Sequence, residues 1–237
     1  MSLCYLDEVD STNNWLRREL QGLQDGAAVY TGSQTAGKGR RGRSWQNQPG
    51  EALYYSRLVR RPLKDPATLP LMVSLAGADA VEALCGRRPQ VKWPNDLLFD
   101  GKKICGILCE SVLEGDGASY ILGVGINLLQ TAAFFEAQGL DHAASLYSAT
   151  GRRCLSRDAA LALDGALTRR LESFAGGGFA ALAEEYRACC INLGRQVYTD
   201  TVRGVAAAID DAGRLVVRTA QGQEAVFTGE VTVHGIY

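Results

Sequence analysis

The sequence predicts an α+β fold in two parts: a larger part that combines strands and helices, and a small β domain at the end of the chain. Three observations support this prediction. Short apolar strands follow one another between residues 91 and 125, with turn signals between them. Longer stretches with apolar residues at helical spacing stand before and after them. From Arg195 onward only short alternating strands remain, so we place a boundary near Gly194 and predict two domains, residues 1–193 and 194–237.

The first elements of the larger domain surround a glycine-rich loop. Asp10-Ser11-Thr12-Asn13 is a run of residues that favour helix N-caps, and an apolar stretch follows it, so a helix is predicted to begin there. Ala27–Thr31 and Ala52–Val59 are predicted strands that enter and leave the loop. Between Asp65 and Leu84, apolar residues recur every three or four positions, which predicts a long core helix.

Four strands are predicted in the middle of the chain, and two helices after them. Asp100-Gly101 is a hairpin turn signal between the second and third strands. The strands are Val91–Trp93, Leu97–Phe99, Lys103–Val112 and Ser119–Gly125. The amphipathic helices are separated by Gly176-Gly177-Gly178 and span Ser156–Phe174 and Phe179–Ile191. The β domain is expected to contain about five strands, close to the minimum that can bury a core, with turns at Asp211–Gly213 and Gln221-Gly222.

Composition and charge narrow the class of function. The 237 residues are 46% hydrophobic and 22% charged with a formal net charge of -1, which argues against a general nucleic-acid binder. The first residues contain acids and no long apolar run, unlike a signal peptide. No stretch approaches the roughly 20 apolar residues of a membrane span. We therefore expect a cytoplasmic protein that binds neither nucleic acid nor membrane.

Cysteine and histidine give no sign of a metal centre or of a nucleophile. The seven cysteines are odd in number and form no C-x-x-C pair, so we expect buried free thiols. Neither of the two histidines, His142 and His234, has a cysteine or histidine neighbour at zinc spacing. The G-x-S-x-G motif is also missing. Neither a zinc site nor a Ser-His-Asp triad is predicted.

Residues 32–45, GSQTAGKGRRGRSW, form the most unusual segment, with four glycines, four cations and no acid. Glycines let backbone N–H groups approach a ligand, and cations neutralise its charge, so a phosphate-bearing ligand is indicated. The P-loop pattern fails at Gly39, where a hydroxyl is required. Gly37, Gly39 and Gly42 satisfy G-x-G-x-x-G, but turn-forming residues follow where the helix should begin. The segment is therefore predicted to be a flexible basic strap; a solvated loop and a nucleic-acid contact remain open.

A second unusual segment is Val91-Lys92-Trp93-Pro94-Asn95-Asp96, a short strand stopped by proline and followed by turn-forming residues. Taken alone, it is an ordinary strand-to-turn transition with Lys92 as a surface cation. Together with the basic loop, it resembles the biotin–protein ligases. Three weaker motifs occur in the same order along nearly the whole chain: Ser11-Thr12-Asn13, Gly106-Ile-Leu-Cys-Glu110 and Gly123-Val-Gly-Ile-Asn127.

The resemblance implies both a fold and an activity. The fold is a class II aminoacyl-tRNA synthetase-like catalytic domain, a mixed β-sheet with flanking helices, followed by an SH3-like β-barrel. Only ten residues precede Ser11, which leaves no room for the winged helix of the repressor forms, so the monofunctional form is expected. The activity joins biotin and ATP, with Mg²⁺, into biotinyl-5′-AMP and pyrophosphate. Biotin then passes to a lysine of a biotin carboxyl carrier protein.

Such chemistry depends on fixed cations and N–H donors, because charge builds up on phosphoryl oxygens and no protein nucleophile is required. Two alternatives remain open: a lipoate or octanoate ligase or transferase of the same fold, and a non-catalytic biotin-binding regulator. The protein is expected to be a monomer or a homodimer. Mg²⁺ is expected to arrive with ATP, and no residue is assigned as its ligand.

The resemblance also implies site residues. Lys92 would bridge the biotin carboxylate and the α-phosphate, and Arg40 would hold the activated intermediate. The implied biotin contacts are Ser11, Thr12, Asn13, Gln34, Gly37, Lys38, Gly39, Arg40, Lys92 and Gly106. The implied ATP and adenylate contacts are Arg40, Arg43, Trp45, Lys92 and Asn127, with Trp45 covering adenine and Asn127 reading it.

Some of these residues have a second interpretation. Ser11 and Thr12 also suit helix capping, which is compatible with binding. Gly106, Gly123 and Gly125 suit either the close approach of a ligand or a plain β-bulge. Lys38 stands where arginine is more usual in the family, and lysine lacks the bidentate fork of arginine.

Overall fold

The larger part of the protein is a seven-stranded mixed sheet. The computed structural model describes residues 3–43, 45, 48–114, 117–227 and 229–237. The strand order is β1-β2-β3-β7-β6-β5-β4; β1 and β2 are parallel and the other neighbours antiparallel. The strands are β1 (Leu3–Tyr5), β2 (Ala28–Thr31), β3 (Ala52–Val59), β4 (Gln90–Lys92), β5 (Asp96–Phe99), β6 (Lys102–Glu114) and β7 (Gly117–Asn127).

Helices cover one face of this sheet and part of the other. The long helices α2 and α5 pack against each other and against apolar residues such as Leu53, Tyr55 and Leu122, which form the main core. The helices are α1 (Thr12–Arg18), α2 (Leu69–Cys85), α3 (Ala132–Ala137), α4 (Leu146–Thr150), α5 (Ser156–Gly177) and α6 (Ala183–Cys189). A mixed sheet with flanking helices confirms the predicted fold class.

The opposite face of the sheet is divided between α1 and a cavity. Leu16 of α1 packs on Leu58 and Ile121 in a second, smaller apolar cluster. Because side chains alternate along a strand, Ser56 and Gly123 lie on this same face, beside α1. These polar and small positions receive the side chains of Thr12 and Asn13 from α1, and the cavity lies next to them.

A second, five-stranded antiparallel sheet follows, with the order β11-β10-β9-β8-β12. It confirms the predicted small β domain. Trp93 joins the two sheets: its indole Nε1 donates to the Gly213 carbonyl at 3.0 Å. The division into residues 1–193 and 194–237 stays a prediction. The strands are β8 (Gln196–Tyr198), β9 (Arg203–Ile209), β10 (Leu215–Thr219), β11 (Gly222–Val226) and β12 (Thr232–Val233).

Several predicted bounds differ from those observed. The core helix begins at Leu69, after a 3-10 turn over Pro66–Thr68, and not at Asp65. The helix predicted to end at Phe174 runs on to Gly177 despite the low helix propensity of glycine, and it ends at Gly178, whose φ is 64°. The helix predicted over Phe179–Ile191 is a 3-10 turn followed by α6. The sequence prediction did not include β1, α3 and α4, which have only three to six residues each.

The prediction that no stretch approaches a membrane span was wrong for Pro66–Cys85, a helical segment long and apolar enough to cross a membrane, but 67% of its apolar 18-residue stretch is buried inside the fold. This is the behaviour of a core helix, and the cytoplasmic location stays a prediction. All seven cysteines are free thiols. Four of them are buried and Cys4 is exposed, so the expectation of burial fails for Cys4, which lies on the short edge strand β1.

Candidate active site

A cavity of about 620 Å³ lies on the α1 face of the sheet, under the basic loop. The residues implied by the sequence meet there, although they come from five separate segments. Those that line it are Ser11, Thr12, Asn13, Gln34, Lys38, Gly39, Arg40, Arg43, Trp45, Lys92, Gly106 and Asn127. Gly37 lies beside the lining: a Cβ atom there would be 2.9 Å from Nε2 of Gln34.

One end of the cavity, the polar end, is built from α1, Gln34 and Ser56. The Thr12 backbone N–H and hydroxyl both donate to Oε1 of Gln34, at 2.8 and 3.2 Å. The Ser56 hydroxyl lies 2.7 Å from Thr12 Oγ1 and 2.6 Å from Asn13 Oδ1. Ser11 caps α1 by accepting from the backbone N–H of Asn14, so capping and a place in the cavity wall coexist.

Three glycines on the sheet make room for protein side chains. A Cβ atom on Gly123 would lie 2.4 Å from Asn13 Oδ1, and one on Gly106 would lie 2.6 Å from Cζ3 of Trp45. A Cβ atom on Gly125 would lie 3.3 Å from Cζ2 of the same ring. The pairing of β6 with β7 has no bulge at these positions, and side chains of this chain occupy the space above the glycines, so close approach of a ligand to them stays a prediction. Trp45 thus lies flat on the sheet floor.

The other end of the cavity, the charged end, contains two lysines. Lys92 and Asp96 are only 7% and 8% exposed. The Lys103 ammonium pairs with Asp96 Oδ1 at 2.7 Å and lies 5.4 Å from the Trp45 ring. Lys103 was not among the residues implied by the sequence. Its signal was the Asp100-Gly101 turn, which folds β6 back along β5 and brings a lysine beside Asp96.

The small β domain contributes to the charged end as well. Tyr237 donates its hydroxyl to Asp96 Oδ2 at 2.8 Å, and the Lys92 ammonium lies 4.0 Å from the centre of its ring. Glu230 and Thr232 also line the cavity. None of these residues was predicted, because they are more than 100 positions from the KWPND motif in the sequence.

Burial sets the electrostatics of the charged end. It lowers the pKa of Lys92, an effect that Asp96 opposes, and it lowers the pKa of Arg40 in the same way. Burial and the nearby Lys103 and Lys92 also lower the pKa of His142. Cations that have lost much of their hydration gain most from a bound anion, so this end is suited to carboxylate or phosphate.

The basic loop closes the cavity through side-chain contacts. Arg40 donates to Asn95 Oδ1 at 3.0 Å, and Arg43 pairs with Glu230 at 2.7 Å. Arg41, which has a left-handed backbone (φ 56°), pairs with Asp200 of the small β domain. Lys38 is exposed and donates to Asn14 Oδ1 at 3.3 Å.

The backbone of the loop is a turn and not a helix start. Arg40–Gly42 form a 3-10 turn, closed by a hydrogen bond from Arg43 N to the Arg40 carbonyl at 3.3 Å, and the flanking Gly39 N donates to Arg43 O at 2.7 Å. Residues 48–50 have no helical conformation. Ser44, Gln46 and Asn47, which belong to the predicted turn-forming stretch, lie outside the described residues. The observed loop geometry thus agrees with the sequence analysis, in which the segment fits neither the P-loop pattern nor the dinucleotide-binding pattern G-x-G-x-x-G.

Asn127 lies at the end of β7, where its amide donates to the Ala144 carbonyl at 2.9 Å. This bond fixes the side chain at the cavity wall. As for metal, the described part of the chain holds no group of three His, Cys, Asp or Glu side chains. The acids Asp96 and Glu230 both line the cavity and each pairs with a cation.

Comparisons with known proteins agree with this arrangement. The biotin/lipoate A/B protein ligase family model matches residues 4–127, and the model of the biotin protein ligase C-terminal domain matches residues 193–233. The biotin–[acetyl-CoA-carboxylase] ligase of Paracoccus denitrificans is 32% identical over 97% of this chain and 100% of its own length. The bifunctional ligase/repressor BirA of Bacillus spizizenii is 30% identical over 97% of this chain and 73% of its own length.

A solved structure extends the similarity to the fold. The biotin protein ligase from Aquifex aeolicus, determined in complex with biotin and ATP, has a TM-score of 0.84 and 28% sequence identity, with 98% of each chain covered. The first family model alone covers more than half of the chain. This chain therefore belongs to the biotin/lipoate A/B protein ligase family, and within it to the biotin protein ligases, which are enzymes.

Proposed function

We propose that this protein activates biotin with ATP and transfers it to a lysine of a biotin carboxyl carrier protein. In the first step, a carboxylate oxygen of biotin attacks the α-phosphorus of ATP and pyrophosphate leaves. In the second step, the amine of the carrier lysine attacks the acyl carbon, AMP leaves and the amine loses a proton. The observation that carries the proposal is one cavity with a polar end, a charged end and a basic loop above both.

The charged end suits the first step. Two anions must meet there, and further charge builds up on the phosphoryl oxygens during displacement. Lys92 and Lys103 approach this space from β4 and β6, strands held on either side of β5. Fixed cations of this kind stabilise the transition state because they need no reorganisation when the charge develops. We assign Lys92 to the bridge between carboxylate and α-phosphate, with Lys103 as its partner.

The polar end suits the ureido ring of biotin. Thr12, Asn13 and Gln34 are held by bonds to one another and to Ser56, so their remaining polar atoms have fixed directions. A neutral ring with both N–H donors and a carbonyl acceptor is matched by hydroxyl and amide groups. Gly37, Lys38 and Gly39 of the loop would cover it.

The loop and the end of β7 suit the nucleotide. Arg40 and Arg43 approach the cavity above the charged end, where they would hold the phosphate and retain the adenylate. Trp45 offers a flat ring for adenine, and Asn127 a fixed amide at the wall. Mg²⁺ is part of the substrate here, because it accompanies ATP, and the cavity acids already have cationic partners.

The experiment that tests the proposal uses the purified protein, biotin, Mg²⁺-ATP and a biotin carboxyl carrier domain, followed by intact-mass spectrometry. We expect the carrier to gain the mass of one biotinyl group. A carrier with its acceptor lysine changed to arginine should gain nothing. Parallel reactions with lipoate and octanoate distinguish the related ligases.

Two results would overturn the proposal. Transfer of lipoate or octanoate in preference to biotin would assign the protein to the other branch of the family. Tight biotin binding by calorimetry, without pyrophosphate release in the presence of ATP, would indicate a binding protein without catalysis. Detection of biotinyl-5′-AMP after omission of the carrier separates the first step from the second.

A further inference from the structure

Tyr237 is the last residue of the sequence, and its side chain reaches into the cavity of the larger domain. It follows β12 through a turn in which Ile236 N donates to the Val233 carbonyl at 2.9 Å. The phenol ring then lines the charged end, among residues that lie far away along the chain. A residue of the small β domain is thus in direct contact with the candidate catalytic machinery.

The ring of Tyr237 has three neighbours, and each contact is distinct. Its hydroxyl donates to Asp96 Oδ2 at 2.8 Å. The Lys92 ammonium lies 4.0 Å from the ring centroid, within the range of a cation–π contact. The imidazole of His142 packs at 4.8 Å between ring centres, with a tilt of 38°.

These contacts act on charges that are almost completely buried. Lys92 and Asp96 are 7% and 8% exposed, and a buried charge without partners is strongly disfavoured. Burial, with Asp96 nearby, raises the pKa of Tyr237, so the hydroxyl stays protonated and donates throughout the ordinary pH range. The tyrosine therefore supplies one hydrogen bond to the acid and one electron-rich face to the lysine.

We infer that Tyr237 is a positioning residue, which holds the Lys92 ammonium and the Asp96 carboxylate in place for the reacting carboxylate and phosphate. The inference rests on the proposed function of Lys92. Asp96 in turn pairs with Lys103 at 2.7 Å, so a single aromatic side chain touches one lysine and, through the acid, orients the other.

The first test measures the titration of Lys92 itself and does not depend on activity. Lysines are labelled by reductive ¹³C-methylation, and the Lys92 signal is assigned with a Lys92→Arg variant. In Tyr237→Leu we expect the pKa of Lys92 to fall by roughly one pH unit, because leucine keeps water out but offers no π face. Tyr237→Phe keeps the ring, and its Lys92 should titrate like the wild type.

Other charges surround Lys92 and must be the same in all variants. They are Asp96 on β5, Lys103 on β6, Arg43 on the loop, Glu230 before β12 and the imidazole of His142. The matched control is Tyr198→Leu, a 39%-exposed tyrosine of the same small sheet. It should leave the titration unchanged. If Tyr237→Leu lowers the Tm by more than a few degrees, Tyr237→Met replaces it.

The second test separates positioning from simple stability. In biotin-dependent ATP–pyrophosphate exchange, Tyr237→Leu should lower kcat about tenfold, with KM values for biotin and ATP within about threefold of the wild type, because misplaced groups cost most in the transition state. Tyr237→Phe, which lacks only the bond to Asp96, should lose about threefold. Tyr198→Leu should match the wild type.

Three outcomes bear on the inference. An unchanged Lys92 titration in Tyr237→Leu overturns it. It is also overturned if the loss of ATP–pyrophosphate exchange across the variants is explained by their lower Tm. A fall in the pKa of Lys92 together with a selective fall in kcat supports it. Absence of exchange in the wild type would refute the proposed function, and the titration would still decide whether Tyr237 controls Lys92.

Discussion

The basic loop and the charged end of the cavity both present cations to the same space, but they hold them differently. Side chains of Arg41 and Arg43 are 48% and 70% exposed, and they pair with acids of the small β domain. Lys92 is 7% exposed and extends from a strand of the main sheet. Exposed ion pairs contribute little, often less than about 1 kcal/mol, whereas buried charges are fixed by their surroundings.

The difference suggests a division of labour. Because exposed pairs are weak, loop cations can exchange a carboxylate partner for a phosphate at small cost, and we propose that the loop opens for a substrate and closes over the adenylate. Lys92 is almost completely buried and Lys103 is held by its pair with Asp96, so we propose that the lysines of the sheet define where the reaction takes place. Arg40, half-buried and bonded to Asn95, links the two regions.

The largest expected effect comes from Lys92→Ala. Removing a fixed cation from the charged end should slow biotin-dependent ATP–pyrophosphate exchange by roughly 100- to 1,000-fold. Lys103→Ala should slow this exchange by a similar factor, because Lys103 also lines the charged end. The matched control is Lys102→Ala, an exposed neighbour outside this cavity, which should keep wild-type exchange. Normal exchange in Lys92→Ala would refute the assigned role.

Arg40→Gly should affect retention more than formation of the intermediate. Loss of a charged hydrogen-bond donor predicts release of biotinyl-5′-AMP roughly ten to 100 times faster. The free adenylate should then label lysines of bystander proteins such as serum albumin. Lys102→Ala, at an exposed position outside this cavity, is the control and should leave the dissociation rate unchanged. Equal dissociation rates in the wild type and Arg40→Gly would contradict the assignment.

The sequence predicted much of the site because its motifs are local. The basic loop and the KWPND segment each bring several lining residues within a few positions of one another, and nearly all of the implied residues line the cavity. Lys103 and Tyr237 could not be found in this way. Lys103 depends on the register of β5 and β6, which includes an irregularity between Leu97 and Leu98, and Tyr237 depends on how the small sheet packs.

Prediction of the fold from the sequence had the same limit: elements with a long local pattern were found, and those that depend on distant residues were missed. Long periodic segments such as α2 were predicted to within a few residues, since an apolar face must be buried. Gly176 and Gly177 were placed outside a helix on propensity, yet they continue α5, which ends where Gly178 has a φ of 64°. The strand β1 has three residues and depends on pairing with β2, so its own sequence carries little signal.

A smaller effect is expected from the acids that hold the loop. Asp200→Asn and Glu230→Gln should each raise hydrogen exchange of loop residues 37–43 by up to about fivefold, because an exposed pair is worth about 1 kcal/mol or less. High salt should have the same effect on the wild type. Asp211→Asn, which removes an exposed pair with Arg187 on α6, serves as control. If Asp200→Asn or Glu230→Gln lowered ATP–pyrophosphate exchange more than Lys92→Ala does, the loop and not the charged end would be the more important region.

The smallest effect concerns the polar end and its dependence on pH. Asp10 precedes α1, accepts from both Arg18 nitrogens at 2.8 and 2.9 Å and from Asn14 at 3.0 Å, and these bonds hold its pKa well below the ordinary value. A lowered pKa stabilises the fold above the unfolded-state pKa, near 4, and the contribution is lost as the pH falls below it. Asp10→Asn should therefore cost about 1 kcal/mol or less at pH 7.

Urea unfolding of the wild type and Asp10→Asn at several pH values measures this contribution directly. The two free energies of unfolding should differ at pH 7. The difference should begin to shrink as the pH falls below about 4, and it should vanish only well below that pH, where the carboxylate of the folded protein is also protonated. Asp25→Asn, at a surface position paired with Arg61, provides the control. A difference that stays constant with pH would mean that Asp10 supports α1 through its shape and not its charge, and the polar end would then be insensitive to acid.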